Sequence, residues 1–156
     1  MKTRNLSFLL FCLGCVLTLL LVPQVQATLG ESADSVAVNR KALLAVQSAT
    51  RASSQYTVYE FQSETTTVRE YMSPSGVVFG IAWNGLTHPD LTPLLGSYAS
   101  EHREALSHVK RQPGRRHIKV KSDNVVVEKW GHMRNLQGRA YAPALLPQGV
   151  SVDEIK

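Results

Sequence analysis

The strongest pattern of hydrophobic and polar residues lies in residues 66–84, where two predicted strands flank a short polar segment. A tight turn is predicted at residues 73–76, because Pro74 fixes φ and Gly76 accepts a positive φ. The second strand, residues 77–84, is apolar on both faces, as expected of a strand at the centre of a covered sheet. Its larger side chains share one predicted core face: Val77, Phe79, Ile81 and Trp83.

Alternating apolar and polar residues predict five further strands around this one. They are residues 56–62, 66–72, 117–121, 125–130 and 132–141. The polar segment 49–55 is predicted to be a loop. On the back of the central strand Gly80 and Ala82 leave a flat strip, where we expect another segment of the chain to pack closely. The apolar tail that follows Tyr141 is expected to lie over the domain.

Two segments have the three- and four-residue spacing of apolar positions that is typical of helices. The shorter is Ser32–Val46, which begins with a residue type that caps helices well. The longer follows the N-cap Asp90, and its apolar stripe consists of Leu91, Leu94, Leu95, Tyr98, His102, Ala105, Leu106 and Val109. Because glycine costs roughly 1 kcal/mol relative to alanine inside a helix, we expect a bend or break near Gly96.

The predicted elements therefore occur in the order helix, three strands, long helix, three strands. Hairpin-linked strands with helices on one side are typical of an α+β domain with an antiparallel sheet. We predict a sheet of about five or six strands that packs against one long and one shorter helix. Residues 28–156 are long enough for one such domain and too short for two.

The N-terminus has the three parts of a secretory signal peptide. Lys2 and Arg4 form the positive region, Leu6–Val22 forms the apolar region, and Val25–Ala27 places small residues where signal peptidase cleaves. We therefore expect residues 1–27 to be removed as a signal peptide. The mature protein is then expected in the periplasm or outside the cell.

Two alternatives to cleavage are less consistent with the sequence. Pro23 and the cleavage site argue against a retained membrane anchor, although the apolar run is close to the roughly 17–25 residues that span a bilayer. A lipid anchor on Cys15 is disfavoured because the apolar run continues past it and Cys12 stands where an aliphatic residue is usual. These are the only two cysteines, so the mature chain would have neither a disulfide nor a thiol nucleophile.

Several short motifs resemble those of one known family. They are Val68-Arg69-Glu70-Tyr71, Gly76-Val77-Val78-Phe79, Ala82-Trp83, Leu94-Leu95-Gly96-Ser97-Tyr98, Gly131-His132-Met133-Arg134 and Gly138-Arg139-Ala140-Tyr141. In these motifs the chain is similar to a group of small secreted bacterial proteins known as domain of unknown function 2844. The resemblance covers most of the mature chain and implies export and a single domain. It implies no activity, because the family has none assigned.

Residues with catalytic or metal-binding chemistry are sparse. None of the five histidines has the i, i+4 spacing with another histidine that is typical of zinc sites on helices, so we expect surface or boundary positions for them. A polar cluster of His132, Arg134 and Glu70 is one candidate site, with Glu128 as an alternative carboxylate. A structural hydrogen bond is the expected role of His132. No Gly-x-Ser-x-Gly elbow and no nucleotide-binding loop is present, and we predict no catalytic residue, metal or cofactor.

Positive charge is concentrated in one segment. Removal of Lys2 and Arg4 lowers the net charge from +5 to +3. Much of the remainder lies in residues 110–121, which contain no acid and six basic residues: Lys110, Arg111, Arg115, Arg116, Lys119 and Lys121. Such a segment attracts phosphates of lipid head groups, polyanionic glycans or nucleic acid. The structural alternative is a solvated edge that discourages aggregation between strands.

These observations predict a non-enzymatic exported protein that binds or assists another envelope component. The second interpretation is a protein that binds a polyanion or an anionic lipid through a basic hairpin. An enzyme with a site centred on His132 is the third. The expected partner is an envelope protein or an anionic polymer, without specific nucleic-acid binding and without a stable membrane anchor after cleavage.

Overall fold

The structure is a computed structural model that describes residues 29–31, 46–110 and 112–156. Seven strands are present in it. In chain order they are β1 (Val46–Ala52), β2 (Thr57–Gln62), β3 (Thr66–Met72), β4 (Val78–Gly85), β5 (His117–Lys121), β6 (Val126–His132) and β7 (Asn135–Tyr141). One helical segment connects β4 to β5, and it consists of α1 (Leu91–Leu95), a 3-10 turn (Gly96–Tyr98) and α2 (Ala99–Ser107).

The strands form one antiparallel sheet with the spatial order β1-β2-β3-β4-β7-β6-β5. The first four strands are a meander, and β5, β6 and β7 are a second meander. The two halves meet where β4 pairs with β7. The helical segment must therefore carry the chain from the middle of the sheet to its far edge, and it crosses one face of the sheet on the way.

The predicted α+β fold class, with five or six strands under one long and one shorter helix, is wrong. The sheet has seven strands, and the described residues contain a single helical segment besides two short 3-10 turns, Pro143–Leu145 and Val152–Glu154. Residues 49–52 of the predicted loop belong to β1, an edge strand that pairs only with β2. Its residues 50–52 are exposed, so no apolar alternation marks it as a strand. The predicted shorter helix lies outside the described residues, except that its last residue, Val46, begins β1.

Several local predictions for the long helix are confirmed. The side chain of Asp90 accepts a hydrogen bond from the Thr92 N–H (2.9 Å), which caps the first turn. The α-helix is interrupted at Gly96, whose φ is +47°, and a 3-10 turn replaces it there. The α-helix resumes at Ala99, so the predicted break interrupts the helical segment but does not terminate it.

The face of the sheet under the helical segment is called the helix face. Ile81 and Trp83 of β4 are 1% exposed and pack there against Leu94 and Leu95, in agreement with the prediction. Gly138 of β7 pairs with Trp83, and the indole ring occupies the space where a side chain at position 138 would stand. The largest core residue therefore lies across the junction of the two meanders.

Phe79 does not lie on the predicted face. The pairing of β3 with β4 shifts after Tyr71, so that Tyr71 pairs with Gly80 and Met72 with Val78, and Phe79 is an extra residue. Such a β-bulge breaks the alternation of side chains along the strand. Val78 consequently points to the helix face and Phe79 to the opposite one, the reverse of the prediction.

The chain that follows Tyr141 covers that opposite face, which is called the tail face, as expected from its composition. Ile155 is fully buried, and its Cδ1 would lie 2.7 Å from a methyl group at Gly80. The hydroxyl of Tyr71 donates to the carbonyl of Lys156 (2.8 Å) and accepts from its N–H (3.1 Å). The flat strip predicted on the back of β4 is therefore where the tail packs.

Replacement of Trp83 by alanine should destabilise the protein by roughly 3–5 kcal/mol, because it removes the largest buried side chain and leaves a cavity. The free energy of unfolding by urea measures this loss. Trp130→Ala is the matched control, since Trp130 is only half-buried on the tail face and its loss should cost about 1 kcal/mol. Equal losses in the two variants would contradict the central role of Trp83.

Candidate functional site

A groove of about 880 Å³ lies between α2 and the loop that leads into β5. This volume falls within the range of about 300–1,000 Å³ that is usual for small-molecule sites. Apolar side chains provide much of its surface: Leu106, Val109, Pro113 and Ile118. Three basic side chains also line it: Arg103, Lys110 and Arg115.

The local structure explains why these side chains meet. Arg103, Leu106 and Ser107 are three and four residues apart, so they share one side of α2. Ile118 is contributed by β5, and the intervening loop reverses direction at Gly114, whose φ is +75°. The groove is thus an open space that α2, the loop and β5 enclose from three sides.

Glu101 holds α2 beside the turn between β5 and β6. Its carboxylate accepts hydrogen bonds from the Asn124 N–H (2.9 Å) and from Asn124 Nδ2 (3.1 Å). The backbone hydrogen bond is the largest cause that lowers the pKa of Glu101, and hydrogen bonds from the side chains of Ser122 and Asn124 add to it. These contacts fix the distance between α2 and the second meander.

The groove is positively charged. No acidic residue is present among the described residues that line it, beside the three basic ones. Arg115 donates two hydrogen bonds to Oε1 of Gln112 (3.1 and 2.7 Å), which orient its guanidinium group at the rim. Positively charged side chains that line an apolar cleft raise the local concentration of anionic ligands.

The six basic residues predicted to form one candidate site do not all lie together in the structure. Lys110 and Arg115 line the groove, whereas Arg111 lies outside the described residues. Lys119 forms an ion pair with Glu128 (2.6 Å), whose other partner Arg139 lies on the tail face. Because side chains alternate along β5, Lys121 projects to the same side as Lys119. Arg116 is exposed in the loop before β5 and does not line the groove.

The other candidate cluster is not brought together. His132 is exposed at the end of β6, with Nδ1 3.1 Å from the carbonyl oxygen of Met133. Arg134 has a positive φ of 67° in the turn that follows. Glu70 is fully buried on β3. The strands β4 and β7 separate β3 from β6, which places their backbones roughly 14 Å apart. Glu128, the alternative carboxylate, is engaged by Lys119 and Arg139.

A second group of titratable side chains lies on the helix face, and sequence reasoning missed it. His102 on α2 is 7% exposed, and its Nδ1 is buried without a hydrogen-bond partner. His88 accepts a hydrogen bond at Nδ1 from the indole N–H of Trp83 (2.9 Å). Lys129 of β6 is half-buried. The position of His102 in the apolar stripe of the predicted helix was the signal that could have identified a buried histidine.

The environment of this group disfavours positive charge. Burial lowers the pKa of His88 and of His102, and the nearby charge of Lys129 lowers both further. Burial also lowers the pKa of Lys129 itself. Gly138 pairs with both Lys129 and Trp83, so the Lys129 side chain lies on the helix face beside the indole ring that holds His88. His102 is buried under α2 on the same face. We call Lys129, His88 and His102 the inner cluster.

The chain matches the model of a known family. The model described as "Protein of unknown function (DUF2844)" matches residues 25–155. The chain belongs to this family. The resemblance found in the sequence motifs is therefore confirmed, and it extends over nearly the whole domain. The comparisons with curated proteins and with solved structures gave no match.

The described part of this family member has neither a metal-binding group of side chains nor a membrane-spanning helix. Its His, Asp and Glu side chains form no group of three or more that could hold a metal ion. None of its described helices is long and apolar enough to cross a bilayer. The described residues do present a cationic, apolar groove and the partly buried inner cluster.

The inner cluster predicts that stability falls in mild acid. The histidine pKa values in the folded state are below the ordinary 6.5, so the unfolded chain takes up protons first as the pH drops. The free energy of unfolding should decrease, relative to its value at pH 7, as the pH falls from 6.5 toward 5. Urea unfolding at a series of pH values measures this slope.

The control for this prediction is His132→Gln, which changes an exposed histidine and should leave the slope in place. His102→Gln should reduce the slope. The lowered pKa of Glu101 adds a loss of stability only below its ordinary value of 4.5, so the two windows are separate. A stability that does not change between pH 7 and pH 5 would contradict the burial of the two histidines.

Proposed function

We propose that this is an exported, non-enzymatic binding protein whose ligand is an anionic amphiphile of the cell envelope. The ligand would be an acyl chain that carries a phosphate or carboxylate head group, and it would bind in the groove between α2 and β5. One observation carries the proposal. An apolar groove surface is combined with Arg103, Lys110 and Arg115, and no acid lines it among the described residues.

The composition of the groove favours an amphiphile over a polyanion. A polyanion is bound mainly through phosphate or sulfate contacts and needs an extended track of positive charge. The predicted basic run does not provide this track, because Lys119 is paired with Glu128 and projects away from Lys110 and Arg115. An acyl chain instead gains from contact with Leu106, Val109 and Ile118, at roughly 0.8 kcal/mol for each buried CH₂.

The proposed location outside the cytoplasm rests on the N-terminal sequence. The positive start, the apolar run and the small residues Val25–Ala27 support export with cleavage. The family match begins at residue 25, so the apolar run lies outside the matched region. A periplasmic or released protein would meet envelope lipids and their fragments directly.

Export with cleavage predicts the mass of the mature protein. Protein recovered from the periplasm or the medium should have the intact mass of a chain that begins at Thr28, because signal peptidase would cleave after Ala27. Intact mass spectrometry measures this directly. Recovery of the full precursor from the inner membrane would contradict it.

The groove predicts selective binding of dodecyl phosphate below its critical micelle concentration. In calorimetric titrations, Lys110→Gln combined with Arg115→Gln should weaken binding by roughly tenfold or more, since each charge-assisted contact contributes about 1.5–3 kcal/mol. The matched control is Arg116→Gln combined with Lys121→Gln. It removes the same net charge from exposed residues outside the groove and should leave the affinity nearly unchanged.

The role of the apolar surface is tested separately. Leu106→Ser should weaken binding of dodecyl phosphate and leave the melting temperature nearly unchanged, because Leu106 is 39% exposed. Heparin and vesicles that contain phosphatidylglycerol are the comparison ligands at low and physiological salt, where the Debye length is about 8 Å. Binding of heparin alone would favour the polyanion interpretation. Equal effects of the two double variants would contradict a site in the groove.

A further inference from the structure

Among the described residues, Lys129 is a cation without an ion-pair partner on the covered face of the sheet. It follows Val127, a core residue of the helix face, by two positions, so its side chain projects to the same face. No carboxylate of the described residues lies within ion-pair distance of it. An ammonium group has three donors and no acceptor, and a half-buried one without a counter-charge is costly.

His102 adds a buried polar atom on the same side of the sheet, under α2. Its ring is more than nine-tenths buried under α2, and Nδ1 contacts no hydrogen-bond partner. Buried polar groups in folded proteins are nearly always hydrogen-bonded, so this ring nitrogen has an unused hydrogen-bonding position that a ligand could fill. Burial lowers the pKa of His102, and the charge of Lys129 lowers it further, which agrees with the placement of both side chains on the helix face.

His88 supplies a third donor from another element. Its Nδ1 accepts the indole N–H of Trp83, so the proton of the neutral ring is on Nε2. The rings of Trp83 and His88 meet edge to face, with centroids 6.1 Å apart, which fixes the orientation of the imidazole. Nε2–H is therefore held as a donor in a loop that Trp83 anchors to the core.

We propose that Lys129, His102 and His88 bind one oxyanion, a phosphate or a carboxylate, between the sheet and α2. The three groups come from β6, α2 and the loop after β4. Lys129 and Nε2–H of His88 are donors, and His102 donates from Nδ1 in its Nδ1–H tautomer. An oxyanion would form a hydrogen bond with Nδ1 of His102 and would also neutralise the charge of Lys129. A water molecule could form the hydrogen bond but could not neutralise the charge. Charge-assisted hydrogen bonds of this kind are shorter and stronger than neutral ones.

This site is separate from the groove, although the two are neighbours. Ile118, which lines the groove, pairs directly with Lys129 across β5 and β6. Their side chains are adjacent on the same face of the sheet, but Lys129 does not line the groove. The inner site can therefore be occupied when the groove is empty, and the inference does not rest on the proposed ligand of the groove.

Titration of the purified protein with inorganic phosphate, at constant ionic strength set by chloride, tests the inference. Phosphate should raise the melting temperature of the wild type, because a ligand that binds only the folded state stabilises it. Lys129→Met should weaken phosphate binding by roughly tenfold or more. It should still fold, since replacing a half-buried charge by an apolar side chain of similar length removes a desolvation cost. Acetate in a parallel titration separates a carboxylate site from a phosphate site.

Two variants serve as controls. Lys121→Met makes the same chemical change at an exposed position and should leave phosphate affinity unaltered. Lys110→Gln combined with Arg115→Gln should also retain it, which separates the inner site from the groove. In the wild type, NMR signals of the ring nitrogens of His102 and His88 should shift as phosphate is added. Unchanged affinity in Lys129→Met, or no response to either anion in the wild type, would overturn the inference.

Discussion

The packing of Trp83 across Gly138 is the contact on which the rest of the structure depends. The β4–β7 pairing is the junction between two meanders, and the missing side chain at position 138 lets the indole ring lie over that junction. The indole N–H then binds His88, which fixes the loop that leads into α1. The position of the helical segment, and with it the groove and the inner cluster, thus follows from one buried ring.

One extra residue in β4 allows this strand to place large side chains on both the helix face and the tail face. Without the bulge at Phe79, the large residues of β4 would share the helix face, and the tail face would have little to bury. With it, Phe79 joins Tyr56 and Tyr71 in an aromatic group, with ring centroids 6.0 and 6.2 Å from its own. Ile155 packs over Gly80 beside them. A sheet covered by a helix on one face and by its own tail on the other needs this division.

Much of the fold could be predicted from the sequence wherever burial of one face produces a regular spacing of apolar residues. Local sequence signals were sufficient for strands β2 to β7, for the cap at Asp90 and for the break at Gly96. The edge strand β1 has no such signal, because its exposed residues show no alternation of apolar and polar side chains. Its formation depends on pairing with β2. The bulge at Phe79 was likewise invisible, since it is defined by the register with β3. The inner cluster was missed because its three members are brought together by tertiary structure alone.

The distribution of charge gives the candidate sites their common character. The ion pairs Arg69–Glu60, Lys119–Glu128 and Arg139–Glu128 all involve residues that alternate onto the tail face, where they surround the docked tail. Glu101 is used to hold α2 against the β5–β6 turn. Acidic side chains are thus engaged in architecture, and the cations of the groove and Lys129 are left without carboxylate partners among the described residues. A modest net positive charge therefore becomes a local excess beneath and beside α2, where anionic ligands would provide the missing counter-charge.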